Sequence, residues 1–333
     1  MNKNKFWRML YPLKFKHIYK DKIWGGNRFS EVLGRKDGNS SSCGESWEIS
    51  AVQDNVSVVS NGFLKGNDLQ EVIEVYMDEI VGQKVYEKFG IEFPLLIKFL
   101  DSNDALSVQV HPNDEVAKER HKAYGKTEMW YVMDAAPDGN LIVGFEHDSS
   151  KKEFSEAIEN KTVPQLLHSE VVKKGDVFFL PAGRVHAIGK GLLIAEIQQT
   201  SDITYRIYDW DRVGADGNPR ELHLGLAMDV IDYTAQDDYK THYTAQQNAT
   251  NELVSCQYFQ TNLLRFNQPV EKDFYSLDSF VIYMCMEGSA SIDFGGSYEE
   301  QITKGETVLI PAALHSVKLT PRGEASLLEV YIP

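Results

Sequence analysis

Lys174-Gly-Asp-Val-Phe-Phe-Leu-Pro-Ala-Gly-Arg-Val-His186 recurs, with changes, as Lys304-Gly-Glu-Thr-Val-Leu-Ile-Pro-Ala-Ala-Leu-His315. Upstream lies a second matching pair, Glu128-Met-Trp-Tyr-Val-Met-Asp134 and Phe280-Val-Ile-Tyr-Met-Cys-Met-Glu-Gly288. Each block reads as short strands separated by turns. A long-range repeat of this kind is explained by two copies of one all-β unit. A length of 333 residues also suits two domains. The copies differ where chemistry would sit. The second has no counterpart of Gln109-x-His111, Phe280 stands where Glu128 would be, and His315 follows its proline by four residues against five for His186. The second copy is therefore expected to lack a metal site.

Between these blocks the chain changes period. Leu69, Val72, Ile73, Tyr76, Ile80, Val81 and Val85 recur at three- and four-residue spacing, which predicts a helical insertion over about 67–89, started by Asn67 or Asp68. Residues 113–124 read as a charged helix, and 150–167 and 221–233 as further helical insertions. Trp24-Gly-Gly26 reads as a turn and Lys36 to Ser42 as a polar loop. After about Asp237 the chain turns polar. The expected division is 1–236, a metal-binding domain with helical insertions, and 237–333, a C-terminal β-barrel without metal ligands.

Leu106-Ser-Val-Gln-Val-His-Pro112 alternates as a strand does, so Gln109 and His111 point to one face, one pleat apart. With Glu128 and His186 they offer two imidazole nitrogens and two oxygens, a set suited to zinc or another first-row divalent ion. Lys98 is embedded in the apolar run Phe93-Pro-Leu-Leu-Ile-Lys-Phe-Leu100. Locally it reads equally as a lysine that snorkels to the surface or as one aimed at an anion. Glu45, Trp47 and Glu48 lie together on another strand-like stretch, either as acid–base candidates or as a solvated edge beside a core indole.

The formal charge of −15, from 34 basic and 49 acidic residues, argues against nucleic acid or an anionic membrane as the main partner. It leaves room for a small anionic ligand. Cys43, Cys256 and Cys285 form no CxxC pair, which points to a reducing compartment and away from disulfides or a thiolate zinc site. Lys3, Lys5 and Arg8 precede an apolar run broken by Arg8 and Pro12, a poor signal peptide, and no apolar run is long enough for a bilayer span. The expected location is the cytoplasm, and the expected assembly a monomer or homodimer.

The spacing Gly175, Pro181, Gly183, His186 matches the second motif of cupins. More narrowly, the chain resembles the type I mannose-6-phosphate isomerases (phosphomannose isomerases) of the short bacterial form, over most of residues 13–233. The resemblance rests on Trp24-Gly-Gly, Gly44-Glu-Ser-Trp-Glu, Ser107-Val-Gln-Val-His-Pro, Gly125-Lys-Thr-Glu-Met-Trp, Pro181-Ala-Gly-Arg-Val-His-Ala and Gln199-Thr-Ser-Asp-Ile-Thr-Tyr-Arg206. It implies a mainly β fold of two cupin-type (jelly-roll) β-barrels with helical insertions in the N-terminal part. It implies one zinc per chain on Gln109, His111, Glu128 and His186, and interconversion of D-mannose 6-phosphate and D-fructose 6-phosphate through a metal-stabilised enediolate. Arg206 falls on the family's active-site arginine, Lys126 on the lysine two residues before the ligand Glu, and Glu196 on a pocket carboxylate. Lys98 and Ser107 fall on substrate-phosphate positions. The interval from His186 to Glu196 is a residue longer than in the long forms of the family. The proton-shuttling base stays open among Glu196, Glu48 and metal-bound hydroxide. Competing readings are an iron-dependent cupin oxygenase and a non-catalytic sugar-phosphate sensor or storage cupin.

Overall fold

A computed structural model describes residues 9–36, 41–214, 217–296 and 298–333. The basic residues Lys3, Lys5 and Arg8 and the middle of the polar stretch 36–42 lie outside them. The protein is mainly β, and its strands pair antiparallel in four sheets.

The chain forms two compact units, and each is assembled from separated segments. The first comprises Tyr19–Trp47 and Leu95–Thr241. Its strands are β1 (Ile18–Gly26), β2 (Cys43–Ile49), β3 (Leu95–Ser102), β4 (Val108–Val110), β5 (Glu128–Ala135) and β6 (Asn140–Phe145), followed by β7 (Leu167–Val171), β8 (Val177–Leu180), β9 (His186–Ile188), β10 (Leu192–Gln199) and β11 (Tyr205–Tyr208). They make one sheet in the order β1-β2-β3-β10-β5-β8 and another in the order β11-β4-β9-β6-β7. Trp130, Val132, Leu192 and Ile194 from the first sheet pack on Leu141, Val143 and Ile188 from the second. No hydrogen bonds join the two sheets of this unit among the described residues, so packed side chains, not a continuous ladder, complete the barrel.

The second unit comprises the chain through Ile18, Glu48–Pro94 and His242–Pro333. This differs from a single cut near residue 236, because the segment 48–94 packs with the C-terminal strands. Ala312 and Ala313 donate to the carbonyls of Ile80 and Glu79, and Phe93 packs on Phe280. The strands here are β12 (Ala249–Ser255), β13 (Gln260–Phe266), β14 (Val270–Asp273), β15 (Val281–Glu287), β16 (Ser289–Asp293), β17 (Glu299–Thr303), β18 (Thr307–Ile310), β19 (Ser316–Pro321) and β20 (Ala325–Tyr331). Their sheets run β12-β13-β20-β15-β18 and β14-β19-β16-β17. Subtracting ten from each label reproduces the first unit's orders, apart from the extra edge strands β1 and β11. The repeat seen in the sequence is thus a repeat of topology.

Register corrects one detail of that repeat. Glu128 lies opposite Leu180 and Val281 opposite Ile310, each partner directly preceding its proline. Val281, not Phe280, therefore occupies the position of Glu128. His315 is exposed and stacks on Tyr275.

The helical insertions are shorter than the periodicity predicts. Residues 67–89 form three helices, Leu69–Tyr76, Asp78–Val81 and Gln83–Phe89. Asp68 and Glu71 close a capping box at the start. The breaks fall at Met77 and Gly82, whose φ values of 51° and 92° no helix allows. A side chain at Gly82 would stand 2.5 Å from the Asp278 carbonyl oxygen. The second insertion is a helix over Lys151–Glu159, capped by Ser150, followed by a 3-10 turn. The third is helical only over Leu224–Met228. Trp24-Gly25-Gly26 is the end of β1 rather than a turn. Gly25 is needed there because a Cβ would lie 2.2 Å from the Ser42 carbonyl oxygen on the neighbouring chain segment. Among the described residues, no helix is long and apolar enough to cross a membrane.

Candidate metal centre and adjoining pocket

Three adjacent strands carry the first part of the site. β4 pairs with β9 so that Gln109 faces His186, and β11 pairs with β4 so that Arg206 faces Gln109. β10 runs between β3 and β5 in the other sheet and sets Glu196 beside both Lys98 and Trp130. The alternation of β4 is real, although only Val108–Val110 is regular strand.

His111, Glu128 and His186 are buried, and their candidate ligand atoms all lie within 4.8 Å of one another. His186 Nε2 is 3.4 Å from Glu128 Oε1, and His111 Nε2 is 3.7 Å from Glu128 Oε2. Each imidazole is oriented through its other nitrogen. His111 Nδ1 bonds the Ile203 carbonyl and His186 Nδ1 the Arg184 carbonyl, both at 2.8 Å. A carbonyl can only accept, so Nδ1 carries the proton and Nε2 presents its lone pair, the arrangement of metal-ligating histidines. His186 Nε2 and Glu128 Oε1 are buried without a hydrogen bond from any described residue, while Glu128 Oε2 meets the Lys126 ammonium at 2.9 Å. Orphaned polar atoms of this kind cost about 1–3 kcal/mol each. A cation at their centre would remove that cost.

The charges agree. Burial holds both imidazoles neutral, lowering His111 well below the ordinary histidine range and His186 to about 3. Burial pushes Glu128 up to about 7 against the pull of Lys126. The Lys126 ammonium stands 2.9 Å from Glu128 and 3.0 Å from His111 Nε2, where it partly substitutes for a divalent charge. Two neutral imidazoles and a carboxylate suit a first-row divalent ion, so this group can hold a metal.

Beside the cluster opens a cavity of about 130 Å³. Gln109, Lys126, Glu196, Arg206, Lys98 and Ser107, with Glu45 and Trp47, all line it, so these residues singled out from the sequence meet there. Lys98 does not snorkel outward. It is buried, with its ammonium 3.1 Å from Glu196 and 3.9 Å from Glu45, and 5.2 Å from the centre of the Trp47 ring. Glu196 also accepts from the Trp130 indole at 2.9 Å. Burial pushes Glu196 up, but Lys98 and Lys126 overcome it and keep the carboxylate ionised. Glu45 takes the Trp47 indole at 2.6 Å and Lys22 at 2.9 Å. Burial opposes its charge, and Lys98 and Lys22 nonetheless hold it at about 2.

Glu48 is elsewhere. Strand alternation turns it away from the Glu45–Trp47 face, and its carboxylate lies 3.6 Å from His17. The residues that sequence reasoning did not single out are Lys22, Asp202, Thr204 and Arg220, all on the cavity wall. Asp202 and Thr204 sit inside the 199–206 motif. Arg220 belongs to an irregular stretch with no periodic signal.

Residues 12–138 match the family model for the catalytic domain of type I phosphomannose isomerase. The chain is 38% identical over 311 residues to the mannose-6-phosphate isomerase ManA of Bacillus subtilis, covering 92% of this chain and 95% of that one. It belongs to the type I phosphomannose isomerase family. A mannose-6-phosphate isomerase of Streptococcus mutans is 36% identical over 309 residues, covering 92% of this chain and 95% of its own. The crystal structure of the mannose 6-phosphate isomerase from Bacillus subtilis superposes on this family member with a TM-score of 0.86 at 32% identity, covering 96% and 99% of the two chains. The apo enzyme from Salmonella typhimurium gives a TM-score of 0.76 at 17% identity, a likeness of fold alone, covering 97% and 100%.

Proposed function

We infer that this chain is a mannose-6-phosphate isomerase, interconverting D-mannose 6-phosphate and D-fructose 6-phosphate. The observation that carries the reading is the buried His111–Glu128–His186 cluster opening onto a cationic pocket, in a chain of this family. The metal is zinc by family resemblance, one per chain, held by the cluster with Gln109 as fourth ligand. When bound, it supplies Lewis-acid stabilisation of the negative charge that develops on the substrate's C1 and C2 oxygens.

The residues divide the remaining work. Lys126 and Arg206 place fixed positive charge at the same oxygens. Glu196 carries the proton between C1 and C2, as the cavity carboxylate kept ionised by neighbouring ammonium groups. Trp130 and Lys98 hold it in place from the strands on either side. Ser107 binds the phosphate end, so that remote binding aligns C1 and C2 with Glu196. The first unit is the catalytic one. The enzyme works in the cytoplasm as a monomer or homodimer and supports mannose use and mannose-derived nucleotide-sugar synthesis. The unpaired cysteines support the location.

A coupled assay for fructose 6-phosphate, run with and without chelator and beside a metal analysis of the purified protein, tests the reading. Turnover should disappear with the metal and return with added zinc. Chelator-insensitive turnover would remove the metal role. Activity that required iron and oxygen would favour the oxygenase alternative.

A further inference from the structure

Five cationic side chains and three carboxylates line the cavity of a protein whose net charge is −15. Most of these cations are already engaged. Lys22 pairs with Glu45, Lys98 with Glu196 and Glu45, and Lys126 with Glu128. Arg206 and Arg220 remain. Arg206 gives Nη1 to the Glu221 carbonyl at 2.8 Å, and its buried Nε has no partner among the described residues. Arg220 is held by a buried carboxylate, Asp209, through Nε at 2.7 Å and Nη2 at 2.5 Å. The same Asp209 also takes Arg212 at 2.7 Å. Arg220 and Arg212 thus share one buried carboxylate, with Arg212 also reaching Asp104 at 3.5 Å, and Arg206 on the same cavity wall is bonded to a carbonyl and not to a carboxylate. The pair with Asp209 uses one edge of the Arg220 fork, and Nη1 has no partner among the described residues.

The position is as telling as the charge. β11 runs antiparallel to β4, with Arg206 opposite Gln109 and Tyr208 opposite Val108. The chain beyond Tyr208 therefore reaches the start of the Leu106–Pro112 segment, and the Trp210 indole donates to the Leu106 carbonyl at 2.7 Å. Asp209, and the Arg220 that it holds, lie at the Ser107 end of the pocket. The His111 end carries the metal cluster. Four residues of extended chain separate the two ends by about 13 Å, a gap that an extended six-carbon sugar phosphate can bridge.

We propose that Arg220, oriented by Asp209, recognises the substrate's phosphate, with Asp209 as its positioning residue. A phosphate monoester is close to a dianion at neutral pH, and the planar guanidinium fork matches its oxygens. Lys98, whose charge is taken by two carboxylates, is then not the main phosphate contact. The proposal rests on the sugar-phosphate reading above, so its test includes a ligand that is not a sugar.

The test measures binding of fructose 6-phosphate and of inorganic phosphate by calorimetry, together with KM and kcat for mannose 6-phosphate. Arg220→Gln should weaken fructose 6-phosphate at least 30-fold, abolish measurable inorganic phosphate binding, and raise KM in proportion while kcat stays within threefold. Arg220→Lys, which keeps the charge and loses the two-pronged bond to Asp209, should fall between Gln and wild type. It also guards against a fold defect in the Gln variant. Asp209→Asn should move KM in the same direction by less. Unchanged phosphate and sugar-phosphate affinity in a folded Arg220→Gln protein overturns the proposal, as does a loss confined to kcat. If the wild type binds phosphate through Arg220 but fails to isomerise mannose 6-phosphate, the phosphate site stands and the isomerase assignment falls.

Discussion

Replacing Lys98 by Met should cost stability first and phosphate affinity little. The Lys98 side chain is 8% exposed and lies between two carboxylates, 3.1 Å from Glu196 and 3.9 Å from Glu45. At an effective dielectric of about 20, a charge pair near 3 Å is worth about 5 kcal/mol before desolvation. Breaking a buried pair by removing one partner costs about 3–5 kcal/mol, because the other charge is left behind. Glu45 would keep Lys22 and the Trp47 indole, whereas Glu196 would keep only the Trp130 indole as a close donor. Most of the loss should therefore be traceable to Glu196, and Glu196→Gln in the Lys98→Met background should recover more than half of it. Urea denaturation at pH 7.5 reads the difference. The pH dependence gives a second check. Glu45 is held at about 2 in the folded protein, below the ordinary value, by Lys98 and Lys22 against burial. Its stabilisation is complete above about pH 4.5 and is lost as the pH falls toward 2. Without Lys98 that acid-side loss should shrink. A Lys98→Met protein within 1 kcal/mol of wild type, with KM for the sugar phosphate raised 100-fold, would refute this reasoning and return Lys98 to the phosphate.

Asp101 offers a test of opposite sign. Burial raises its carboxyl to about 6, against the backbone N–H of Arg28 at 2.6 Å. Its contribution is full below about pH 4 and is lost as the pH rises through 6, so Asp101→Asn should gain about 2–3 kcal/mol on wild type between pH 4 and pH 7.5. Parallel denaturation curves for the two proteins over that range would exclude it. In the second unit, Lys272 lies 2.8 Å from the buried Glu329 and 2.9 Å from the Thr250 hydroxyl. Lys272→Met should destabilise by about 3–5 kcal/mol and leave kcat/KM within twofold, and a loss of turnover at unchanged stability would contradict that.

The repeat and the candidate His111–Glu128–His186 group were legible because each member sits in a short local motif. Gln109 and His111 share a face by strand alternation, and the glycine–proline–glycine–histidine spacing needs no knowledge of the fold. The breaks at Met77 and Gly82 were not legible, since the apolar period runs through both while the backbone there is left-handed. On local evidence Lys98 was ambiguous for a different reason, and only the family resemblance pointed it at the substrate's phosphate. Its partner Glu196 is distant in sequence and meets it only through the β3–β10 register. Arg220 gave no signal at all, because its orientation depends on Asp209, and a guanidinium on an irregular stretch looks solvated until that carboxylate is seen to be buried. The folding of residues 48–94 onto the C-terminal strands was hidden as well, because composition changes near residue 237 and not at either end of that segment.

The two copies of the fold separate what the architecture requires from what the chemistry requires. Glu196 on β10 lies beside Lys98 on one side and Trp130 on the other. Glu329 on β20 holds the same place, beside Asn262 and Tyr283. Both carboxylates accept from the neighbouring aromatic residue, the Trp130 indole at 2.9 Å and the Tyr283 hydroxyl at 2.8 Å. A buried acid at this position is thus common to both units, and so cannot by itself define a site. The difference is the source of the balancing cation. In the first unit it is Lys98, from the same sheet, and the space between the sheets stays open as the cavity. In the second it is Lys272 on β14, in the facing sheet, whose ammonium reaches across to Glu329. Glu196, balanced from within its own sheet, lines the cavity, whereas Glu329 is met by a cation from the opposite sheet.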